Sequence, residues 1–211
     1  MMRAKVALTF DDGPGEFTPR ILDTLEKYNA RASFFVLGGK IAAAEDIVKR
    51  AYAMGNEIIS HSWSHCKNPN LSELAADEIR KELLDTHEII RKTVGHSPMM
   101  FRPPYGAMSD TLKKVAEDLG LAIILWSVDS RDWKSKDADE IYREIFENIH
   151  GNAVILCHDV HATTADAMER VIPALAEKYE LVTVSELMQE CNTAPGARII
   201  FPEGEISYDP L

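Results

Sequence analysis

The feature that most constrains this chain is an alternation, repeated seven times, of a short apolar run and a longer amphipathic one. Runs with β-branched or aromatic residues cover 5–9, 32–37, 57–60, 99–102, 122–128, 153–157 and 181–184. Each has the length and composition of a buried strand. Helical periodicity covers 19–28, 41–54, 72–93, 110–119, 137–149, 165–178 and 185–190. The third helical run is the clearest. Leu74, Ile79, Leu83 and Ile90 mark an apolar stripe between charged residues, and Gly95 stops it. Pro173, inside the sixth, predicts a kink or break. Strands alternating with helices imply a parallel sheet. Seven repeats in 211 residues suit one domain, built as a barrel or a doubly wound sheet. Either architecture collects its ligands at the C-terminal ends of the strands, so reactive side chains should lie there.

They do. The first strand ends in Thr9-Phe10-Asp11-Asp12-Gly13-Pro14. Taken alone this is an ordinary Asp-Gly turn, but one of two adjacent carboxylates can bind a metal while the other takes a proton. The third strand ends in His61-Ser62-Trp63-Ser64-His65. Histidines four apart share one face of a helical turn, a spacing suited to one metal ion. With Asp12 they make the two-imidazole, one-carboxylate set of a catalytic zinc site that keeps a position open. Trp63, between them, could pack beneath such a site. The fourth strand leads into Arg102-Pro103-Pro104-Tyr105-Gly106, a loop stiffened by two prolines. The fifth leads into Asp129-Ser130-Arg131-Asp132-Trp133 and the sixth into Leu156-Cys157-His158-Asp159. Each cluster alone has a bland reading as a polar turn. Five of them at five strand ends do not.

Composition narrows the partners. Apolar residues are 45% and charged residues 27%, ordinary for a globular protein, and the formal net charge is −11. An acidic chain is a poor nucleic-acid binder and tolerates a neutral glycan. Cys66, Cys157 and Cys191 are odd in number and lack zinc-ribbon spacing, so they read as structural thiols, Cys157 in the core. No run is apolar enough to span a membrane, and no signal peptide precedes the first strand. Two origins stay open: a cytoplasmic protein, or the catalytic part of a longer secreted chain. His87, His96 and His150 lie in or beside helices and read as surface residues. Oligomeric state has no signal.

The five clusters, in this order, resemble the motifs of the polysaccharide deacetylases, carbohydrate esterase family four with the NodB-homology fold. The resemblance runs over about 6–187, and the stretch FTPRILDTLEKYNARASFFVLG at 17–38 is also typical. It implies a deformed (β/α) barrel with about seven parallel strands and a catalytic domain over 1–191; the Pro- and Gly-containing segment 192–211 reads as a tail packed on that domain. Asp12, His61 and His65 would hold one divalent metal, usually zinc, with cobalt or nickel as alternatives. Asp11 would be the general base, paired with Arg102. The Tyr105 backbone N–H would stabilise an oxyanion. His158 would be the general acid with Asp129 as its charge partner, and Trp133 and Leu156 would wall the acetyl pocket.

The resemblance also implies the reaction: hydrolysis of N-acetyl groups on an amino-sugar polymer, with a secreted or cell-surface location. Segment 158–164, HDVHATT, resembles members acting on peptidoglycan or chitin-type sugars. His161 within it could line the groove, but a loop histidine is the preferred reading. Acetylxylan esterases in the family remove O-acetyl groups with the same motifs. A non-haem iron oxygenase also uses two His and one carboxylate, but leaves Asp11 and His158 without a task. A glycan-binding module needs no base, acid and metal set.

Overall fold

The computed structural model describes residues 3–190 and two short antiparallel strands at 198–200 and 207–209. The packing expected of the 192–211 tail lies outside the described side chains. β1 (Lys5–Asp11), β2 (Ser33–Val36), β3 (Glu57–Ser60), β4 (Met100–Phe101) and β5 (Ala122–Ile123) are followed by β6 (Val128–Asp129), β7 (Val154–His158) and β8 (Glu180–Val182). All their pairings are parallel, in the order β5-β4-β3-β2-β1-β7-β6. β8 pairs only with Lys5–Ala7 of β1, below the level at which β2 begins to pair at Thr9.

The single strand expected over 122–128 is therefore two, and they lie on opposite edges of the sheet. A flat sheet of seven strands would separate those edges by roughly 29 Å, at about 4.8 Å per pairing. The five residue steps from Ile123 to Val128 reach only about 17 Å. The sheet must curl until its edges nearly meet, and the result is a deformed (β/α) barrel with a seam at 124–127. The ladder reaches Ile124, whose N–H donates to Phe101 O, and resumes at Ser127, whose N–H donates to Val154 O.

Alternation along β1 sets its two faces. Val6, Leu8 and Phe10 point outward into the large core beneath the helices, while Ala7 joins the small interior core with Phe35, Ile59, Ile124 and Val154. The outer layer comprises α1 (Thr18–Lys27), α2 (Gly38–Ile41), α3 (Glu45–Ala53), α4 (Ala76–Val94) and α5 (Asp110–Asp118). It continues through α6 (Ala138–Asn148), α7 (Ala162–Lys178) and α8 (Val184–Glu190). The helix expected over 41–54 is broken into α2 and α3. The run at 72–93 opens with a separate 3-10 turn, Leu71–Glu73, capped by Asn70. Gly95 ends α4 in the left-handed conformation. Pro173 does not break α7, because Met168, Val171, Ile172 and Leu175 bury one continuous stripe on the sheet. Cys157 is fully buried, as expected.

Candidate active site

The C-terminal strand ends open onto a cavity of about 340 Å³ lined by Asp11, Asp12, His61, His65, Tyr105, Trp126, Asp129, Trp133, Leu156, His158 and His161. Asp11 and His158 are the last residues of β1 and β7 and sit opposite each other in register. Inward-facing Thr9 and Asp11 both receive Arg102. Its Nη1 donates to Asp11 Oδ1 at 2.6 Å and to Thr9 Oγ1 at 2.9 Å. The guanidinium is fully buried and lies over the Phe35 ring at 3.8 Å. Its remaining donors reach Ile124 O at 3.3 Å and Leu125 O at 3.0 Å. Arg102 thus does two things at once. It orients Asp11, and it satisfies carbonyls that the barrel seam leaves outside the ladder.

His61 and His65 are not on a helical turn. Ser62 and His65 have positive φ, 70° and 52°, and the segment is an irregular loop. The loop still converges both rings on Asp12, itself at φ 73°. Asp12 Oδ1 lies 3.1 Å from His65 Nε2 and 3.4 Å from His61 Nε2. His61 Nδ1 is 2.8 Å from Arg102 O. A carbonyl only accepts, so Nδ1 carries the proton and Nε2 presents its lone pair to the cavity. Asp12 Oδ1 is buried and accepts no hydrogen bond among the described residues. Burial pushes the Asp12 carboxyl up, but the imidazoles beside it more than reverse this and hold it far below the usual carboxylate range. One carboxylate oxygen and two imidazole nitrogens, all within 4.8 Å of one another, fit a divalent cation. Trp63 does not lie beneath this set. Its indole covers Gly38 and Gly39 on the far side of the loop.

Asp129 is not the partner of His158. Its carboxylate accepts from the Arg131 N–H at 2.8 Å and from Trp133 Nε1 at 3.4 Å, so it braces the turn after β6. That turn delivers Asp132, which is 2% exposed, to His158 instead. Asp132 Oδ1 lies 2.7 Å from His158 Nδ1, while Oδ2 accepts from the His158 N–H at 2.6 Å and from Thr164 Oγ1 at 2.7 Å. Burial alone would lower the His158 pKa, but the Asp132 hydrogen bond and charge outweigh it and raise it to about 9. Burial likewise pushes the Asp132 carboxyl up, and the imidazolium more than compensates.

Tyr105, Trp133 and Leu156 also line the cavity. Tyr105, at φ 61°, sets its exposed ring edge-on to His65 at 4.6 Å between centroids. Trp133 is exposed and Leu156 buried. Besides Asp132, three further residues at the site are not singled out by the sequence. Trp126 was hidden inside an apolar run that read as strand. His161, for which a groove-lining place is the less favoured reading, does line the cavity, with its ring 6.1 Å from that of His158. Asp159 is wholly buried beneath the Asp11–Gly13 turn. A Cβ on Gly13 would meet its Oδ2 at 2.3 Å, so glycine is required there for space. Thr18 Oγ1 donates to Asp159 Oδ2 at 2.5 Å, and burial raises the carboxyl to about 7.

Comparison with known proteins places the chain in a family. The sequence profile of the family described as polysaccharide deacetylase matches residues 2–124. The peptidoglycan-N-acetylglucosamine deacetylase PgdA of Listeria monocytogenes is 40% identical over 188 residues, covering 88% of this chain and 39% of that protein. The chain therefore spans about two fifths of the length of that curated relative. Peptidoglycan deacetylase PdaC from Bacillus subtilis superposes with a TM-score of 0.83 at 39% identity, covering 89% of this chain and 91% of that one. A family 4 acetyl xylan esterase from Clostridium thermocellum, solved with a cobalt ion, gives a TM-score of 0.82 at 34% identity, covering 90% and 93%. This chain belongs to the polysaccharide deacetylase family.

Proposed function

We propose that this protein is a zinc-dependent hydrolase that removes acetyl groups from the amino sugars of a peptidoglycan-type polymer. One observation carries the reading. A cation-ready set, Asp12, His61 and His65, shares a single cavity with His158, an imidazole hydrogen-bonded to Asp132, and with an arginine-oriented carboxylate, Asp11. Metal-assisted amide hydrolysis can use all three: a Lewis acid, a proton acceptor for water and a proton donor for the leaving amine.

Asp12, His61 and His65 would hold the ion, which supplies Lewis acidity toward a carbonyl oxygen and toward water. Asp11 accepts the proton of the attacking water through the carboxylate oxygen that Arg102 does not engage. Arg102 fixes the direction of that carboxylate through the 2.6 Å bond to its other oxygen. The Tyr105 backbone N–H is assigned to the oxyanion of the tetrahedral state. His158 enters as the imidazolium, held so by Asp132, and gives its proton from Nε2 to the departing amine. An amine leaves poorly without that proton, so the raised pKa of His158 suits an amide substrate. Trp126, Trp133 and Leu156 supply apolar walls for the acetyl methyl and sugar faces. The peptidoglycan relatives support an amino-sugar polymer as substrate and a place of action at the cell surface. The cobalt-bound esterase supports a first-row divalent ion.

The deciding measurement is acetate release by metal-stripped protein with zinc or cobalt added back. Peptidoglycan and an N-acetylated chito-oligosaccharide are assayed beside an acetylated xylan. Metal-dependent release from the amide substrates is expected. Release from xylan alone would move the assignment to O-acetyl ester hydrolysis, the reading that the acetyl xylan esterase neighbour favours. Asp11→Asn should bind zinc as the native protein does and lose activity by about 10²–10⁴-fold.

A further inference from the structure

The loop 61–65 carries both imidazoles of the cation set, yet it has no regular secondary structure and two residues at positive φ. Such conformations persist only where the surroundings over-determine them. Its backbone is gripped from two sides. On one side the N–H groups of Gly38 and Gly39, where β2 turns into α2, donate to Ser62 O at 3.1 Å and Trp63 O at 3.0 Å. The Trp63 indole lies on the same glycine pair, and a Cβ at Gly38 would come within 2.6 Å of it. On the other side stands one carboxylate of α4, Glu82. Its Oε2 accepts from both the Trp63 and the Ser64 N–H, each at 2.9 Å, and its Oε1 accepts from Ser64 Oγ at 2.9 Å. Inside the loop, the His65 N–H donates to Ser62 Oγ at 3.2 Å. The peptides between the two rings therefore owe their orientation to Glu82 on one side and to the glycine pair on the other.

We infer that Glu82 is a positioning residue for the cation site: it sets the separation of the His61 and His65 nitrogens and thereby the affinity for the metal. It touches neither ion nor substrate in this role. The inference rests on the reading of Asp12, His61 and His65 as a metal site. The α4 helix links the site to the body of the fold, because Ile79, Leu83 and Ile90 on the same helix are fully buried. Glu82 thus transmits the placement of a packed helix to a loop that has no core residues of its own beyond His61 and Ser62.

The test is zinc binding by calorimetry on the metal-stripped full chain, with the thermal midpoint of the metal-free form measured alongside. Glu82→Ala should weaken zinc binding by about 10–100-fold, the usual range for groups that orient metal ligands. The metal-free midpoint should change little, since an exposed loop is what loosens. Glu82→Gln should recover most of the affinity. Its amide oxygen can take both N–H bonds, and its NH₂ can donate to the Ser64 hydroxyl. Glu88→Ala, at a carboxylate of the same helix paired only with Arg91 and Lys92 among the described residues, should bind as the native chain. Zinc affinity in Glu82→Ala within about twofold of native would overturn the inference, as would a Glu82→Gln as weak as the alanine variant. If Glu82→Ala does not fold, Glu82→Gln and Ser64→Ala carry the comparison. A modest loss in Ser64→Ala, with near-native binding in Glu82→Gln, is then expected, and native binding in Ser64→Ala overturns it. Native protein that takes up no zinc would instead overturn the metal reading itself.

Discussion

The carboxylates and imidazoles of the proposed site differ in what holds them, and their pH behaviour should differ accordingly. His158 is raised to about 9 because Asp132 contacts it through both carboxylate oxygens. A general acid works while protonated, so the rate should fall as pH rises through its pKa. Asp132→Asn removes the charge and should move the alkaline limb of kcat/KM down by about one unit or more, toward the ordinary value of 6.5. A pH–rate profile that drops in height with its limb in place would count against this role. His158→Ala should cost an amide substrate more than an activated acetyl ester, because a good leaving group needs less protonation. The difference should be about 10²-fold or more, read from kcat/KM on the two substrates. Equal losses would remove His158 from the acid's place. Asp129 is the instructive residue here. It has the same chemistry as Asp132 and lies at a strand end, yet it serves the turn rather than the imidazole.

Among the elements, the seam between β5 and β6 is the weak point of the barrel, and Arg102 closes it. The two strands are joined by 124–127, and the carbonyls of Ile124 and Leu125 turn inward to the guanidinium instead of to a neighbouring strand. Arg102→Leu would fill part of the volume but leave the Asp11 carboxylate buried and unpaired and both carbonyls without a donor. Breaking a buried pair in this way costs about 3–5 kcal/mol. The urea midpoint should therefore fall steeply, and Arg102→Lys should recover only part, since one ammonium cannot reach four acceptors in a plane. A midpoint within error of the native value in Arg102→Leu would show that the seam is held by packing alone. The same arginine orients Asp11, the proposed base, so on that reading stability and activity are coupled at this position.

At the scale of the whole molecule, the surface ion pairs contribute little, because both partners are largely exposed and salt screens them. The buried titratable groups matter more. His87 is 7% exposed rather than on the surface, and its Nε2 has no hydrogen-bond partner among the described residues. Burial pushes its pKa down to about 4. A histidine depressed in the folded state contributes its full stability above 6.5 and loses it as pH falls toward 4. The loss is on the order of 3 kcal/mol. His87→Leu should therefore narrow the gap between urea midpoints at pH 7 and pH 4.5. An unchanged gap would assign the acid sensitivity to the carboxylates instead. No described helix is long and apolar enough to cross a membrane.

The chain's periodicity determined the parallel α/β architecture, because apolar runs of strand length and helical stripes are local properties. Motif order also brought Asp11, Asp12, His61, His65, Arg102, Tyr105, Trp133, Leu156 and His158 to one end of the sheet, since strand ends are shared whatever the exact curvature. Tertiary structure alone decided the rest. An apolar run such as 122–128 has no mark showing where the ladder lapses, so closure of the barrel was invisible until β5 and β6 lay on opposite edges. The choice of Asp132 over Asp129 depended on which carboxylate a turn delivers to a neighbouring strand, a matter of direction rather than composition. The helical spacing of His61 and His65 singled out two rings that the structure does bring together, though not by helical geometry. The loop is irregular, and what converges the rings is a glycine pair on one side and Glu82 on the other, both remote in sequence. Pairwise distances between segments far apart in the chain are set by packing, and no local pattern encodes them.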